Sequence, residues 1–317
     1  MPALLQPIRG IVPPLVTPLT SRDQLDHAGL QRLIEYQIDA GVAGLFMLGS
    51  TGEAPSLSYR LRYELVEKTC ELVAGRVPIL VGVTDTSLDE AIEFTNFSKS
   101  AGATAIVAAA PYYYSVGQLE VRDFLWKLAD ESTLPMFAYN IPPCVKLSLS
   151  FDSFEYLSRH PNVCGLKDSA GDIVAFGELL KLRSARPDWT ILVGYESLTA
   201  QSVLMGGDGG VTGGANLCPN LFVDIFNAAD RNDRQEIDRL QADVDYLQQL
   251  YSIAGTGAVG YFTGVKVAMG IAGICSGYLA PPFLPADEAT RTKIEAFVNT
   301  LDLGSIHTPA RNGLVGQ

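Results

Sequence analysis

Short apolar runs alternate with amphipathic helical segments eight times along the chain, and this rhythm limits the folds that the sequence can adopt. Each run is too short for a helix and is apolar on both faces, as a buried parallel strand should be. Eight repeats favour an α/β fold, a (β/α)8 barrel of about 250 residues, which we place in residues 1–218. The runs are residues 10–17, 43–49, 77–83, 105–111, 135–140, 163–168, 190–195 and 209–214.

An open, doubly wound parallel sheet is the alternative architecture. Such a sheet usually has fewer strands and carries a glycine-rich phosphate loop after the first strand. The segment Val16-Thr17-Pro18-Leu19-Thr20 lacks that glycine pattern. The barrel is therefore the prediction.

The helical segments between the runs carry recognisable start and stop signals. Ser56 is predicted as the N-cap of the second helix, while Ser87 begins a capping box in a helix that Gly102 ends. From residue 219 onward the pattern is helical only, so we predict a C-terminal extension, residues 219–317, packed on the barrel's side or at a subunit interface. It includes a buried helix at residues 265–274, an amphipathic helix at 288–301, and a frayed tail at 304–317.

Charge and cysteine usage exclude several classes of partner. The net charge is −12, which argues against nucleic acid and anionic membranes as partners. Five cysteines with no CxxC pair argue against a disulfide scaffold, and Cys70, Cys164, Cys218 and Cys275 lie in segments that predict buried thiols. Without a signal peptide or a long apolar run, a cytoplasmic location is expected. The histidines, His27, His160 and His307, are scattered, so no metal site and no cofactor are predicted.

Catalytic side chains of such barrels project from the carboxyl ends of the strands. The sixth run ends at Lys167, one of eight lysines in the chain, where loss of hydration would lower the amine pKa and free a nucleophile. A core lysine paired with Asp168 is the structural alternative. Lys266 is the rival lysine, but it falls inside a predicted helix after the barrel and is interpreted as structural.

Neighbouring strand ends supply further candidates. Tyr139 closes the adjacent fifth run and can shuttle a proton, although this position taken alone favours an ordinary aromatic at a strand end. Ser50 and Thr51 lie in a Gly-Ser-Thr-Gly turn whose free N–H groups can hold a carboxylate, or which simply joins strand to helix. The glycines at 209, 210, 213 and 214 either admit a ligand or relieve crowding at the eighth strand.

Together these segments resemble the family of dihydrodipicolinate synthase and N-acetylneuraminate lyase. The matching pieces are Gly49-Ser50-Thr51-Gly52-Glu53, Pro111-Tyr112-Tyr113, Tyr139-Asn140-Ile141-Pro142, Gly165-Leu166-Lys167-Asp168 and residues 209–216. The resemblance covers about residues 8 to 300. It implies a class I lyase in which Lys167 forms a Schiff base with pyruvate or another 2-oxo acid, an aldehyde is the second reactant, and no metal takes part.

The resemblance also implies roles for individual residues. Tyr139 would shuttle protons, Thr51 would relay protons to Tyr139, and backbone groups of Ser50 and Thr51 would hold the carboxylate. Tyr113 would reach the site of a neighbouring subunit within a homotetramer built as a dimer of dimers. The remaining substrate-binding candidates are Ser169, Gly194, Glu196 and Val211.

Two departures from the family pattern bear on the substrate. Cys144 stands where the synthase has an arginine for the aldehyde substrate's carboxylate, and a thiol cannot replace a bidentate cation, although Lys146 lies two residues on. Gly213 stands where the sialic acid lyases have a serine. We therefore predict an aldolase acting on a 2-keto-3-deoxy sugar acid or 4-hydroxy-2-oxoglutarate.

Several alternatives to this aldolase remain open from the sequence. They are the dihydrodipicolinate synthase and N-acetylneuraminate lyase reactions, a dehydratase that uses the same imine, a ligand-sensing barrel without activity, and a phosphate-binding barrel. An intact Lys167, Tyr139 and Thr51 argue against the sensor, because a sensor need not keep a nucleophile and a proton shuttle together.

Overall fold

Eight parallel strands form one sheet in the computed structural model, which describes residues 7–303. The backbone N–H groups of Ala43 and Phe46 donate to the carbonyls of Ile11 and Pro13, so the first and second strands close the sheet into a barrel. The predicted barrel is confirmed. Its strands are β1 (Gly10–Ile11), β2 (Leu45–Met47), β3 (Ile79–Gly82), β4 (Ala105–Ala109), β5 (Met136–Asn140), β6 (Val163–Asp168), β7 (Thr190–Val193) and β8 (Gly209–Gly210).

A helix follows each strand and covers the outside of the barrel. These helices are α1 (His27–Asp39), α2 (Tyr59–Val73), α3 (Leu88–Ala101), α4 (Gln118–Glu131), α5 (Phe151–Ser158), α6 (Ile173–Leu179), α7 (Thr199–Leu204) and α8 (Pro219–Asp230). Shorter helical turns lie at Ala54–Ser56, Pro142–Val145, Leu180–Ser184, Glu196–Leu198 and Gly213–Asn216. The strands are buried on both faces because side chains fill the barrel and helices cover it.

Further helices follow the barrel within residues 7–303, as predicted. They are α9 (Arg234–Leu247), α10 (Gln249–Ile253), α11 (Gly257–Ile271) and α12 (Glu288–Val298). Helix α8 packs on α7 and β1, in the position of the eighth barrel helix, so a division at residue 218 stays a prediction. The tail predicted at 304–317 lies outside the described residues.

The N-caps of α2 and α3 test the local sequence predictions. The Ser87 hydroxyl caps α3 by accepting from the Glu90 N–H at 3.3 Å, as predicted. The prediction of Ser56 as the N-cap of α2 was wrong, because Ser56 belongs to a short helical turn and the Ser58 hydroxyl accepts from the Leu61 N–H. A small hairpin, Leu19–Ser21 with Gln24–Leu25, was not predicted.

One glycine of the eighth strand serves the closure of the barrel. Gly209 has a φ of +142°, and a Cβ there would lie 1.9 Å from the carbonyl oxygen of Gly10 on β1. A side chain at position 209 would therefore prevent β1 and β8 from pairing. Crowding, rather than a ligand, accounts for this glycine.

Other sequence expectations concern thiols and membranes. All five cysteines are free, with Cys144 exposed and the other four buried as predicted. Within residues 7–303, none of the helices combines the length and the apolar content that a membrane crossing requires.

Candidate active site

Lys167 and Tyr139 lie directly opposite each other at the carboxyl ends of β6 and β5. Both side chains are buried, and the Lys167 Nζ lies 4.2 Å from the centre of the Tyr139 ring. The ring of Phe46, from β2, lies 4.9 Å from the same nitrogen. The parallel register of two neighbouring strands thus brings amine and phenol to one place, as the sequence predicted.

The environment of Lys167 favours the neutral amine. Burial lowers the pKa of Lys167 to about 7, because two aromatic rings replace the water that would stabilise an ammonium. The carboxylate of Asp168 accepts a hydrogen bond from the Asn140 amide at 2.7 Å, and no carboxylate among residues 7–303 forms an ion pair with Lys167. The structural alternative, a core lysine neutralised by Asp168, does not describe this site.

A pKa near 7 predicts how imine formation depends on pH. About one tenth of the Lys167 amine is neutral at pH 6 and about nine tenths at pH 8, and only the neutral amine is a nucleophile. The rate of reductive trapping with pyruvate and cyanoborohydride, followed by mass spectrometry, should therefore rise about tenfold between these pH values. A rate that still rises steeply above pH 9 would indicate an ordinary, solvated lysine.

The Tyr139 hydroxyl has serine neighbours. The Ser169 hydroxyl donates to the Tyr139 Oη at 3.4 Å, and the Ser50 hydroxyl is a second neighbour that lowers the pKa of the phenol. Gly194 makes this arrangement possible, since a Cβ there would lie 2.0 Å from the Ser169 Oγ and 3.1 Å from the Lys167 Cε. Burial raises the pKa of the Tyr139 phenol above its ordinary value, so the group carries its proton at neutral pH.

The turn that follows β2 carries the hydroxyl groups of Ser50 and Thr51, and it places them differently from the prediction. The Thr51 Oγ1 lies 3.1 Å from the Tyr261 Oη, whereas the Ser50 hydroxyl is the one of the two that lowers the pKa of the Tyr139 phenol. A relay from Thr51 to Tyr139 stays a prediction, and Ser50 is better placed for it. The N–H groups of Ser50 and Thr51 have no acceptor within the part of the chain that the structure describes, so both are available to a carboxylate.

Glu196 follows β7 and is the acidic side chain that lines the site. Its Oε1 accepts from the Gly214 N–H at 2.7 Å, and its Oε2 accepts from the Tyr251 hydroxyl at 2.8 Å. Burial raises the pKa of this carboxyl above its ordinary value, although the two donors partly offset the effect. Glu196 is therefore fixed in orientation before any ligand arrives.

These residues line one cavity of about 400 Å³ at the carboxyl end of the barrel. It contains the predicted residues Ser50, Thr51, Tyr139, Lys167, Ser169, Gly194, Glu196 and Val211. Its volume is within the range usual for small-molecule sites. Among the residues that line it within 7–303, Lys167 is the basic side chain and Glu196 the acidic one.

The C-terminal helices contribute side chains that the sequence did not identify. Gln248, Tyr251, Tyr261 and Phe262 line the cavity, so part of the extension covers the barrel mouth instead of its side. In the sequence, Tyr251 follows Leu240, Val244 and Leu247 at helical spacing, which is typical of an apolar helix face. A tyrosine on an apolar helix face is the sequence feature that could have identified this residue as part of a site, because a buried phenol needs a hydrogen-bond partner.

Three further candidates lie at different distances from the cavity. Cys144 lines it, with its Sγ 3.9 Å from the Ser50 Oγ, while Lys146 is exposed and does not line it. Tyr113 is 75% exposed, packs edge-on against Tyr114 and does not reach the cavity of its own chain. Contact with a neighbouring subunit stays a prediction for Tyr113.

No group of three acidic, histidine or cysteine side chains suited to a metal ion is found among the described residues.

A family model described as the dihydrodipicolinate synthetase family matches residues 7–301. The chain belongs to this family. A probable 2-dehydro-3-deoxy-D-pentonate aldolase of Escherichia coli K12 is 30% identical over 91% of this chain and 96% of its own length. A dihydrodipicolinate synthase structure from Bacteroides thetaiotaomicron superposes with a TM-score of 0.90 and 41% identity, covering 94% of this chain and all of that one.

A second structural relative was solved with pyruvate bound. It is YagE of E. coli K12, with a TM-score of 0.87 and 29% identity, covering 95% of this chain and all of that one. These relatives confirm the family resemblance and the prediction that the chain is an enzyme of the lyase class.

Proposed function

We propose that this member of the dihydrodipicolinate synthetase family is a class I aldolase that cleaves a 2-keto-3-deoxy sugar acid through an imine on Lys167. The observation that carries the proposal is the buried Lys167 amine, whose Nζ lies 4.2 Å from the centre of the Tyr139 ring in the wall of the cavity. The pentonate aldolase among its relatives and the pyruvate-bound relative support the same chemistry.

The side chains present account for each proton transfer. The neutral Lys167 amine attacks the ketone, the Tyr139 phenol protonates the resulting hydroxyl, and water leaves to give the iminium ion. The tyrosine, now a phenolate, accepts the proton of the hydroxyl beta to the imine as the carbon–carbon bond breaks. The electron pair of that bond enters the iminium to form an enamine, and the aldehyde leaves. Tyr139 then returns its proton to the enamine carbon. Water hydrolyses the resulting iminium to pyruvate and the neutral Lys167 amine, and the proton released goes to the Tyr139 phenolate. The free N–H groups of Ser50 and Thr51 hold the carboxylate throughout.

The charge of the cavity selects among the candidate substrates. A dicarboxylate, such as 4-hydroxy-2-oxoglutarate, or the aldehyde of the synthase reaction requires a cation for the second carboxylate, and Cys144 supplies none. The distal wall instead presents Glu196, Gln248, Tyr251 and Tyr261, which hydrogen bond neutral hydroxyl groups. A sugar acid with one carboxylate fits this distribution better than a substrate with two.

Pyruvate release from a substrate panel tests the proposal. We expect kcat/KM for 2-keto-3-deoxygluconate or 2-keto-3-deoxypentonate to exceed that for 4-hydroxy-2-oxoglutarate by at least about tenfold, because the latter buries an unpaired carboxylate. The coupled oxidation of NADH by lactate dehydrogenase measures pyruvate, and a parallel assay for loss of water separates a dehydratase.

The variant Cys144→Arg is the matched control for this panel. It restores a cation at the cavity wall and should shift the preference toward the dicarboxylate, with pyruvate trapping at Lys167 unchanged. A wild-type enzyme that prefers the dicarboxylate, or that condenses pyruvate with the aldehyde of the synthase reaction, would contradict the assignment of substrate.

The proposal also covers how the subunits of this enzyme assemble and where in the cell it works. A homotetramer built as a dimer of dimers would cover the exposed rings of Tyr113 and Tyr114 and bring Tyr113 to a neighbouring cavity. Sedimentation equilibrium tests the assembly, and Tyr113→Phe tests the contribution. The five free cysteines support a cytoplasmic location.

A further inference from the structure

Tyr261 reaches the active site from outside the barrel. It lies on α11, and its Oη is 3.1 Å from the Thr51 Oγ1 in the turn that follows β2. It lines the same cavity as Lys167, and Tyr251 packs edge-on against it with ring centres 4.8 Å apart. A C-terminal helix therefore supplies a phenol to the distal side of the site.

Gly213 leaves the space that the phenol occupies. A Cβ at position 213 would lie 1.5 Å from the Tyr261 Oη and 2.7 Å from its Cζ, so any larger residue there would displace the ring. The same Cβ would lie 3.3 Å from the Glu196 Oε1, which places the phenol oxygen beside that carboxylate. The Tyr261 ring can therefore lie in the cavity only because position 213 has no side chain.

A buried ion pair fixes the helix that carries Tyr261. The Lys266 Nζ, one and a half turns farther along α11, lies 2.5 Å from the Glu53 Oε1, and both side chains are almost fully buried. The Glu53 Oε2 also accepts from the Ala280 N–H at 2.7 Å. Because Glu53 is two residues beyond Thr51, the pair holds the turn and the helix together, and with them the two hydroxyls.

We propose that Tyr261 is a specificity-determining residue that hydrogen bonds a hydroxyl of the aldehyde half of the substrate. Thr51 satisfies one hydrogen-bonding site of the phenol, and a phenol retains a further donor or acceptor site for a ligand in the cavity. Glu196 beside it is an acceptor whose own orientation is fixed by Gly214 and Tyr251. Together they present complementary groups to a polyhydroxy chain. This inference rests on the proposed aldolase function.

The variant Tyr261→Phe removes only the phenol oxygen. We expect kcat/KM for the sugar acid to fall about five- to tenfold, mainly through KM, which is the effect of one hydrogen bond to a neutral group. Trapping of pyruvate alone on Lys167 should change less than about twofold, because pyruvate lacks the aldehyde half. The control Tyr246→Phe makes the same change at the Thr300 hydrogen bond on the surface and should leave both readouts unaltered.

Gly213→Ala supplies the second variant. Its methyl group should displace the phenol and reproduce the loss in kcat/KM, while Gly213→Ala combined with Tyr261→Phe should cost little more than either change alone. Unchanged sugar-acid kinetics in Tyr261→Phe would overturn the inference, as would an equal loss of pyruvate trapping. Failure of the wild-type enzyme to trap pyruvate would instead overturn the proposed function.

Discussion

Replacing Lys167 by methionine should lower kcat/KM for the sugar acid by at least about a thousandfold, because no other residue that lines the cavity within 7–303 carries an amine to form the imine. Lys167→Arg should be equally inactive, since a guanidinium keeps its proton and is not a nucleophile. Pyruvate release and reductive trapping measure the two losses. Residual trapping in either variant would show that a different lysine reacts.

The stability of Lys167→Met provides the control for folding. The pKa of Lys167 is about 7 in the folded chain against 10.5 for an ordinary lysine, so the unfolded chain binds more protons between these values. Wild-type stability must therefore rise with pH across this window, by up to about 1.4 kcal/mol per unit. Methionine removes the amine, and the variant should be more stable than wild type near pH 7, with the difference shrinking toward pH 10. A variant less stable than wild type at pH 7 would contradict a buried, solvent-deprived amine.

Lys266→Met should lower the free energy of unfolding by about 3–5 kcal/mol, because it leaves the Glu53 carboxylate buried without its cation. Both side chains are no more than 1% exposed, so water cannot replace the lost partner. Urea denaturation followed by circular dichroism measures the change. The double variant Glu53→Gln with Lys266→Met should recover much of the loss, since the unpaired charge is gone.

The surface pair of Lys181 and Glu178 offers a matched comparison. Its side chains are 64% and 56% exposed, and solvent screens the charges. Lys181→Met should therefore change stability by less than about 0.5 kcal/mol. Equal effects of Lys181→Met and Lys266→Met would contradict a structural role for the buried pair.

The repeated pattern of the sequence carried most of the information about the barrel and its floor. Parallel strands put their carboxyl ends at one edge, so Lys167 and Tyr139 could be placed together from two strand ends alone. The same rule located Ser50, Ser169, Gly194 and Glu196. This rule needs only the order of the strands and their regular alternation with helices, and the short apolar runs reveal both.

The distal wall could not be predicted in the same way. Tyr251 and Tyr261 reach the cavity because C-terminal helices pack against the mouth of the barrel. The periodicity of a helix shows which of its faces is apolar, but it does not show which part of the barrel that face packs against. The sequence also offered no reason to prefer Ser50 over Thr51 as the partner of Tyr139, because adjacent residues in a turn point in different directions. The function of Gly213 became visible only beside the Tyr261 ring.

Imine formation at Lys167 is tested most directly by trapping with pyruvate. The enzyme is incubated with pyruvate and borohydride, digested, and mapped by mass spectrometry over its eight lysines. We expect one reduced pyruvyl adduct, on Lys167, that is absent when borohydride is added without pyruvate. No adduct, or an adduct on the exposed Lys146 in place of Lys167, would contradict the assignment of the nucleophile.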